Sequence, residues 1–443
     1  MDSILQKIVL KCNKNLEINF EGGSLSSDSG LLLFMQFIQA LGLEGILTRC
    51  FSTSTNAANQ IHSDVENLLQ HLYMVLASYF RDDDSDPLAL EPVLKMCVGT
   101  RRLASQPTMS RFFSRMTEET VEQFWAIMRE LRKAVYLLEG IPNQILLDLD
   151  TTLIATFGLQ EGASYNHHYG SNGYHPLLCY DGFTGDLLRG WLRDGAKYCS
   201  KGAAALLAPL IRELKEDAVG VNLFARGDSG FATPELYDLF EDEGVGYFIR
   251  LKANPTLYKK AKTLEMKLFR HTKYDLISYA AVYGQFYYQA DSWRAPRMVK
   301  VKIEKPAGTF DHRFTFIVTN LPMSAEYVVS TYCERGKMEN FIKECKDGFG
   351  VRTASSKSRS TNANRMQANL MAYNVFNYFR RLALPKSMAS DRIDTVRFKL
   401  VKVASRVISH ACKTEIRMCS HCVHKNEFIE TFNNIQEIIL RAA

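Results

Sequence analysis

Apolar residues spaced three and four apart dominate the first 140 residues of the chain, which is the period of an amphipathic helix. Segments 30–43 and 59–81 follow this period, and a longer helix is predicted over residues 118–138. Segment 59–81 carries one clear apolar stripe, formed by Leu68, Leu72, Val75 and Leu76. The pattern predicts a helical N-terminal region over residues 1–140.

The period changes to two at residues 143–152, where a strand is predicted. Ile145, Leu147 and Leu149 point to one side of this strand, and Asp148 and Asp150 point to the other. Two carboxylates on one face of a core strand are unfavourable unless a positive group lies beside them. A metal ion is the obvious candidate, and either aspartate could hold it.

The remaining pattern predicts strands at 174–180 and 187–193, a helix at 202–217, a strand at 221–225, a helix at 235–244 and a strand at 246–251. Further strand-like runs follow at 274–288, 298–304 and 314–319. We therefore predict an α/β fold in five parts. These are the helical N-terminal region, a first catalytic part at 141–253, a β-rich insertion at 254–322, a second catalytic part at 323–383 and a helical C-terminal region at 384–443.

A second acid stands just after the strand predicted at 221–225. Asp228 lies in the run Arg226-Gly227-Asp228-Ser229-Gly230, and glycines near it let the backbone turn sharply and expose the carboxylate. Such a run can also be an ordinary turn, so Asp228 gains weight only in combination with Asp150.

Residues 331–346, TYCERGKMENFIKECK, are predicted to form one continuous helix with a row of polar side chains. In a helix, Tyr332, Arg335, Glu339 and Lys346 fall within a wedge of about 60° and a length of about 21 Å. The cations and the phenol suit phosphates, and the carboxylate suits a metal ion. The alternative is a solvated helix face with an ion pair between Arg335 and Glu339.

The spacing Y-x2-R-x3-E-x6-K resembles the signature of bacterial insertion-sequence transposases of the DDE type, the branch described as transposase DDE domain group 1. The resemblance implies a catalytic domain like those of RNase H and retroviral integrase, interrupted by the β-strand insertion. It implies that Asp150, Asp228 and Glu339 form a catalytic triad holding two Mg²⁺ (or Mn²⁺) ions, with Asp148 as the rival of Asp150. Tyr332, Arg335 and Lys346 would then position the phosphates of the transposon end.

Composition fits this picture without requiring it. The 443 residues carry a formal net charge of +6, which permits nucleic-acid binding. The first 20 residues do not resemble a secretory signal, and the longest apolar run is too short and too polar to span a bilayer. Ten scattered cysteines are typical of reduced thiols, so we expect a cytoplasmic protein that associates with the nucleoid when bound to DNA.

Further DNA-binding candidates lie in three places. Arg111 and Arg115 follow a predicted helix start and would face a DNA groove if residues 90–115 form a helix-turn-helix; an ordinary capped helix is the alternative. Trp293 could stack on a displaced base, although a core tryptophan is the more common outcome. Lys357 and Arg359, in a small basic loop, could bind backbone phosphates.

The function implied by the resemblance is cut-and-paste DNA transposition. The enzyme would cleave the transposon ends and join them to target DNA, acting as a homodimer when two ends are synapsed, and a hairpin intermediate on the transposon end is plausible. One alternative is a non-catalytic DNA-binding protein derived from a transposase. Another is a metal-dependent nuclease that cuts without joining.

Overall fold

The computed structural model describes residues 8–54, 60–411 and 413–442. The chain divides into two compact units, the first made of residues 1–115 and 378–443 and the second of residues 116–377. Elements are numbered in chain order below. Among the described residues, no single helix is long and apolar enough to cross a membrane; the bent pair 31–40 and 43–50 passes that test only by length and composition.

The first unit begins with short strands and continues with helices. Its N-terminal part comprises β1 (Ile8–Leu10), β2 (Asn13–Ile18), β3 (Leu25–Ser26), α1 (Leu31–Ala40), α2 (Leu43–Cys50), α3 (Asp64–Leu76), α4 (Pro92–Val98) and α5 (Gln106–Ser114). The helix predicted over 30–43 ends early because Gly42 adopts a left-handed conformation, with φ of 64°, and caps α2. The predicted start at Asn59 lies outside the described residues, and α3 begins at Asp64 with a capping box between Ser63 and Glu66.

The C-terminal part of the first unit is less helical than predicted. After the end of a long helix it contains α13 (Ile393–Val396), β15 (Ser405–Ser409), β16 (Thr414–Met418) and α14 (Lys425–Ala442). Strands β15 and β16 form an antiparallel hairpin, and β3 joins it to make a three-stranded sheet. The prediction of a helical C-terminal region was wrong in this part, because residues 405–409 and 414–418 pair as strands.

The second unit contains the remaining elements. Its helices are α6 (Glu118–Glu139), α7 (Ala203–Asp217), α8 (Pro234–Asp242), α9 (Pro255–Thr272), α10 (Ala325–Cys333), α11 (Gly336–Gly348) and α12 (Arg359–Leu382), the last of which ends in the first unit. Its strands are β4 (Gln144–Thr151), β5 (Ile154–Ala155), β6 (Ser164–Asn166), β7 (Ser171–Tyr174), β8 (Leu177–Asp181), β9 (Leu187–Trp191), β10 (Asn222–Gly227), β11 (Gly246–Leu251), β12 (Ala280–Tyr288), β13 (Arg297–Lys305) and β14 (Arg313–Thr319).

An eight-stranded mixed sheet organises the second unit, in the order β12-β13-β14-β11-β10-β4-β8-β9. Strands β4, β10 and β11 are parallel. On one side β8 pairs antiparallel with β4 and β9 pairs antiparallel with β8, and on the other side β14 pairs antiparallel with β11. Ile145, Leu147 and Leu149 of β4 are buried in the core together with apolar residues of α7, as the alternating pattern predicts. The order β4-β8-β9-α7-β10-α8-β11 follows the prediction, whereas the short strands β5, β6 and β7 between β4 and β8 were not predicted.

The insertion at 254–322 differs from the prediction in two respects. It opens with α9, an 18-residue helix, so it is not purely β-rich. Its three strands extend the central sheet through antiparallel pairing of β14 with β11. Pairing satisfies the backbone groups along the edge of β11, which would otherwise lie unpaired.

Candidate active site

The central strand β4 carries Asp148 and Asp150 on the same side. It is paired in parallel with β10, and in this register Asp148 lies opposite Arg226. Asp150 and Asp228 each follow those positions by two residues. The register therefore brings the two aspartates to the same edge of the sheet, where the parallel strands end.

Asp148 is held in a buried ion pair. The Arg226 guanidinium donates from Nε to Oδ1 at 3.1 Å and from Nη2 to Oδ2 at 2.5 Å, and both side chains are at most 1% exposed. Arg226 Nη1 also donates to the Thr331 carbonyl at 2.7 Å. Burial raises the pKa of the Asp148 carboxyl while Arg226 opposes the rise. The positive group beside this acid is thus a guanidinium, where a metal ion was the obvious candidate from sequence.

Asp150 is more open to solvent, with 17% of its side chain exposed. Its Oδ1 accepts a hydrogen bond from the Thr151 N–H at 2.8 Å, and its Oδ2 lies 2.9 Å from Arg335 Nη2. Burial raises the pKa of Asp150 to about 6; the nearby charges of Asp228 and Asp148 add to the rise and Arg335 opposes it. A cation bound beside Asp150 would stabilise the charged form of this carboxylate.

Asp228 follows the end of β10 and caps the short helical turn 229–231. Its Oδ1 accepts a hydrogen bond from the Gly230 N–H at 2.8 Å. A Cβ added at Gly230 would lie 2.9 Å from that same oxygen, and one added at Gly227 would lie 3.1 Å from Phe231. Neither glycine has a positive φ. Gly230 therefore leaves space beside the carboxylate and Gly227 leaves space beside Phe231, and neither supplies the sharp backbone turn that the sequence suggested.

The predicted continuous helix over residues 331–346 is broken. Tyr332 lies in α10, Arg335 lies between the helices, and Glu339 and Lys346 lie in α11. The break is closed by tight hydrogen bonds, from Arg335 N–H to the Tyr332 carbonyl at 3.0 Å and from Lys337 N–H to the Glu334 carbonyl at 3.1 Å. Gly336 follows immediately, and glycine is a poor helix former. The single polar row expected from an unbroken helix was therefore wrong.

Tyr332 and Glu339 of this signature have different surroundings. Tyr332 is buried against Phe248, Ile317 and Val329, and this burial raises the pKa of its hydroxyl. Glu339, in the first turn of α11, is exposed. In the described part of the chain, no group of three or more histidine, cysteine or acidic side chains is arranged to hold a metal ion. The structure thus brings Asp150 and Asp228 together and leaves Glu339 apart from them.

Arg335 connects the break to the strand acids. Its guanidinium is close enough to Asp150 for an ion pair, yet its Nε and Nη2 atoms are buried without an aligned hydrogen-bond acceptor among the described residues. Buried donors of this kind are normally satisfied. These N–H groups are therefore available to an anionic ligand.

Lys346 enters the same region from the C-terminal end of α11. Its ammonium donates to Thr152 Oγ1 at 3.2 Å, two residues beyond Asp150. Burial lowers the pKa of this lysine. Of the four signature residues, Arg335 and Lys346 thus contact the end of β4 and the residue that follows it.

Lys357 and Arg359, two other candidates for DNA contact in the second unit, differ in their exposure to solvent. Lys357 is exposed. Arg359 is engaged with Glu118, with Asp194 and with the Leu192 carbonyl, at distances of 2.8, 3.2 and 2.8 Å. Arg359 therefore fastens the loop to its surroundings in this conformation.

Trp293 is only 6% exposed and belongs to the core of the second unit. Its ring packs against Tyr237 and Tyr288, with centroid distances of 5.2 and 5.3 Å, and the Arg297 guanidinium lies 5.4 Å from its centroid. No ring face is left for a base. Trp293 is therefore a core residue, and we do not propose it as a DNA-binding residue.

In the first unit, α4 and α5 form the helix pair expected at residues 90–115. Gly99 ends α4 in a left-handed conformation, with φ of 77°. Arg111 is exposed, whereas Arg115 is paired with Asp64 at 2.5 Å and hydrogen-bonded to Thr53 at 2.6 Å. Both arginines line a cavity of about 620 Å³, together with Arg101 and Arg102.

Two residues of the site were missed from sequence. Arg226 precedes Asp228 by two positions, so the strand period alone indicates that it shares a face with the strand acids. Tyr169 reaches the site from the β6–β7 turn, where its hydroxyl donates to the Thr151 carbonyl at 3.4 Å. Burial, followed by the charges of Asp150 and other acids, raises the pKa of Tyr169 to about 12. No local sequence pattern indicated this contact.

Comparison with known proteins gives one family match. No curated protein matches the sequence. A solved structure of a piggyBac transposase synaptic complex with hairpin DNA is 12% identical, with a TM-score of 0.45, over 89% of this chain and 82% of that one. The family model described as transposase DDE domain group 1 matches residues 9–439. The chain belongs to this transposase family.

Proposed function

We propose that this protein is a DNA transposase that cleaves the ends of its transposon and joins them to target DNA. The observation that carries the proposal is the placement of Asp150 and Asp228 at the adjoining ends of two paired parallel strands, in a chain of the DDE family. The order of strands β9-β8-β4-β10-β11 supports an RNase H-like core. The bacterial insertion-sequence branch and the cut-and-paste route are part of the same proposal.

Asp150 is proposed as the first catalytic acid because Asp148 is already neutralised by Arg226. Asp228 is proposed as the second. Backbone N–H groups of Thr151 and Gly230 orient one oxygen of each carboxylate. The second oxygen of Asp228 is left for a ligand in the described structure, whereas that of Asp150 lies 2.9 Å from Arg335 Nη2. Carboxylate oxygens are the ligands that Mg²⁺ and Mn²⁺ prefer.

Glu339 is proposed as the third acid. Two Mg²⁺ (or Mn²⁺) ions held by Asp150, Asp228 and Glu339 would activate the attacking hydroxyl and stabilise the leaving oxygen. Because Glu339 is exposed in the first turn of α11, it has to approach the strand acids. The break between α10 and α11 lies only a few residues before it and is the natural place for that movement.

Arg335, Lys346 and Lys357 are proposed to hold phosphates of the transposon end. Arg335 offers two buried N–H donors without aligned acceptors, and Lys346 donates only to a neutral hydroxyl in the described structure. Arg111 and the arginines of its cavity are proposed as a separate phosphate-binding surface of the first unit. Synapsis of two ends would make the active species a homodimer.

Cleavage of labelled DNA carrying the element's own ends, with Mg²⁺, tests the proposal. Asp150→Asn, Asp228→Asn and Glu339→Gln should each abolish cleavage and retain DNA binding. Asp242→Asn is the matched control, since Asp242 is an exposed acid at the end of α8. Cleavage should proceed normally in this control.

Other outcomes would select a different function. Wild-type protein that binds the ends but never cuts them, with Mg²⁺ or Mn²⁺, would be a DNA-binding derivative of a transposase. Cutting without joining in a strand-transfer assay would indicate a nuclease. A folded Asp148→Asn variant that is inactive beside an active Asp150→Asn variant would show that Asp148 is the first acid.

A further inference from the structure

A groove of about 1170 Å³ lies in the second unit, between the loop after β5 and the segment after α11. One wall is apolar and includes Leu153, Phe157, Leu159 and Tyr169. The cationic wall is formed by Lys346 and Lys357, which also line the groove. The groove therefore combines an apolar side with a cationic side.

One end of this groove lies at the candidate active site. The Tyr169 hydroxyl donates to the Thr151 carbonyl, and the Lys346 ammonium donates to the Thr152 hydroxyl. Thr151 and Thr152 directly follow Asp150 in the chain. A molecule lying in the groove would thus lead away from the residues proposed to cut DNA.

The apolar wall is open to solvent to an unusual degree. Phe157 is 100% exposed and Leu159 is 99% exposed. Side chains so exposed contribute little to the folded core. Exposed apolar groups beside charged ones are typical of interaction surfaces.

The positive charges that line the groove outnumber the negative ones. Lys357 makes no side-chain ion pair or hydrogen bond within residues 8–54, 60–411 and 413–442. Arg352 also lines the groove, and its Nη1 donates to Asp347, likewise in the lining, at 3.2 Å. Three cations thus face one carboxylate, which favours an anionic occupant.

We propose that this groove binds unpaired nucleotides of DNA next to the cleavage site. Phosphates would lie against Lys346 and Lys357, and bases would lie against Phe157, Leu159 and Tyr169. Single-stranded DNA sites combine a positive track with exposed rings in this way. Duplex DNA does not offer its base faces, because they are stacked inside the helix. The inference rests on the proposed function for the identity of the strand, which would be the transposon end.

Binding of fluorescent oligonucleotides in EDTA tests the groove without cleavage. The probes are a 12-nucleotide oligothymidine and a 12-base-pair duplex, and the quantity measured is the ratio of their dissociation constants. Phe157→Ser should weaken oligothymidine binding about tenfold relative to duplex binding, because it removes one stacking ring. Lys357→Gln should also weaken oligothymidine binding and reduce its dependence on salt.

Val219→Ser is the matched control, because Val219 is an apolar residue of the second unit that is 85% exposed and lies outside the groove. The ratio of dissociation constants for oligothymidine and duplex should be the same in Val219→Ser as in the wild type. The groove proposal would be overturned if Phe157→Ser had the same ratio of dissociation constants as the wild type. It would also be overturned if the wild type did not bind oligothymidine. If the variant loses single-strand binding while the wild type cuts no transposon end, the groove stands and the proposed function fails.

Discussion

The two halves of the candidate active site are built from different kinds of structure. Asp150 and Asp228 stand at the ends of paired parallel strands, where the register of β4 and β10 determines their distance from each other. Glu339 stands on a helix that begins after a break, and no strand register determines its position. Asp150 and Asp228 are therefore placed side by side by the sheet, whereas Glu339, as the proposed third acid, has to approach them.

Arg335 is the link between these halves. It lies at the break and contacts Asp150, so it supplies positive charge to the strand acids in this conformation. Asp148, deeper on the same strand, has its own arginine and is nearly inaccessible to solvent. One aspartate of β4 is thus neutralised within the sheet, and the other is paired with an arginine that comes from the break between α10 and α11.

The largest expected effect is the difference in the free energy of unfolding between variants of the two aspartates of β4. Asp148→Asn should lower the free energy of unfolding by about 3–5 kcal/mol, because it leaves the buried Arg226 charge without its partner. Asp150→Asn should leave the free energy of unfolding unchanged or raise it, because burial already disfavours the charge on Asp150. Urea unfolding of both variants measures the difference.

A double variant serves as the control for this comparison. Asp148→Leu combined with Arg226→Met removes both charges and should recover part of the stability lost by Asp148→Asn, since apolar pairs often replace buried ion pairs well. Equal losses in Asp148→Asn and Asp150→Asn would contradict the division of β4 into a structural and a functional acid.

The sequence predicted the strand half of the site better than the helix half. Alternation along residues 143–152 was sufficient to place three apolar side chains in the core and two acids on the other face. It did not distinguish Asp148 from Asp150, because the distinction depends on Arg226, which comes from a neighbouring strand 78 residues away. Reading the same period on β10 would have indicated that partner.

The helix half was harder because local spacing does not reveal a break. Residues 331–346 have an acceptable helical pattern, and the tight turn at Arg335 is seen only once Tyr332 is packed in the core and Arg335 reaches Asp150. Trp293 was similarly ambiguous, since the sequence does not show that Tyr237 and Tyr288 cover it. Such contacts depend on tertiary structure.

A second prediction tests whether Arg335 serves DNA as well as Asp150. Arg335→Gln should weaken binding of transposon-end DNA and reduce the slope of log affinity against log salt by about one, because one phosphate contact is lost. Lys337→Gln is the control, since Lys337 is an exposed cation two residues away that pairs with Glu334. Fluorescence anisotropy at several salt concentrations measures both slopes. An unchanged slope for Arg335→Gln would assign this arginine to Asp150 alone.

The smallest expected effect concerns the break itself. A Cβ at Gly336 meets no atom within 4 Å, so Gly336→Ala fits the observed structure and should raise the free energy of unfolding by up to about 1 kcal/mol through helix propensity. If Glu339 approaches the strand acids by movement at the break, the same substitution should slow cleavage, because it stiffens the connection. Gly45→Ala in α2 offers a similar propensity gain away from the signature and should leave the cleavage rate unchanged. A more stable Gly336→Ala variant that cuts at the wild-type rate would show that the break does not move, and Glu339 would then have to reach the strand acids by side-chain rotation alone.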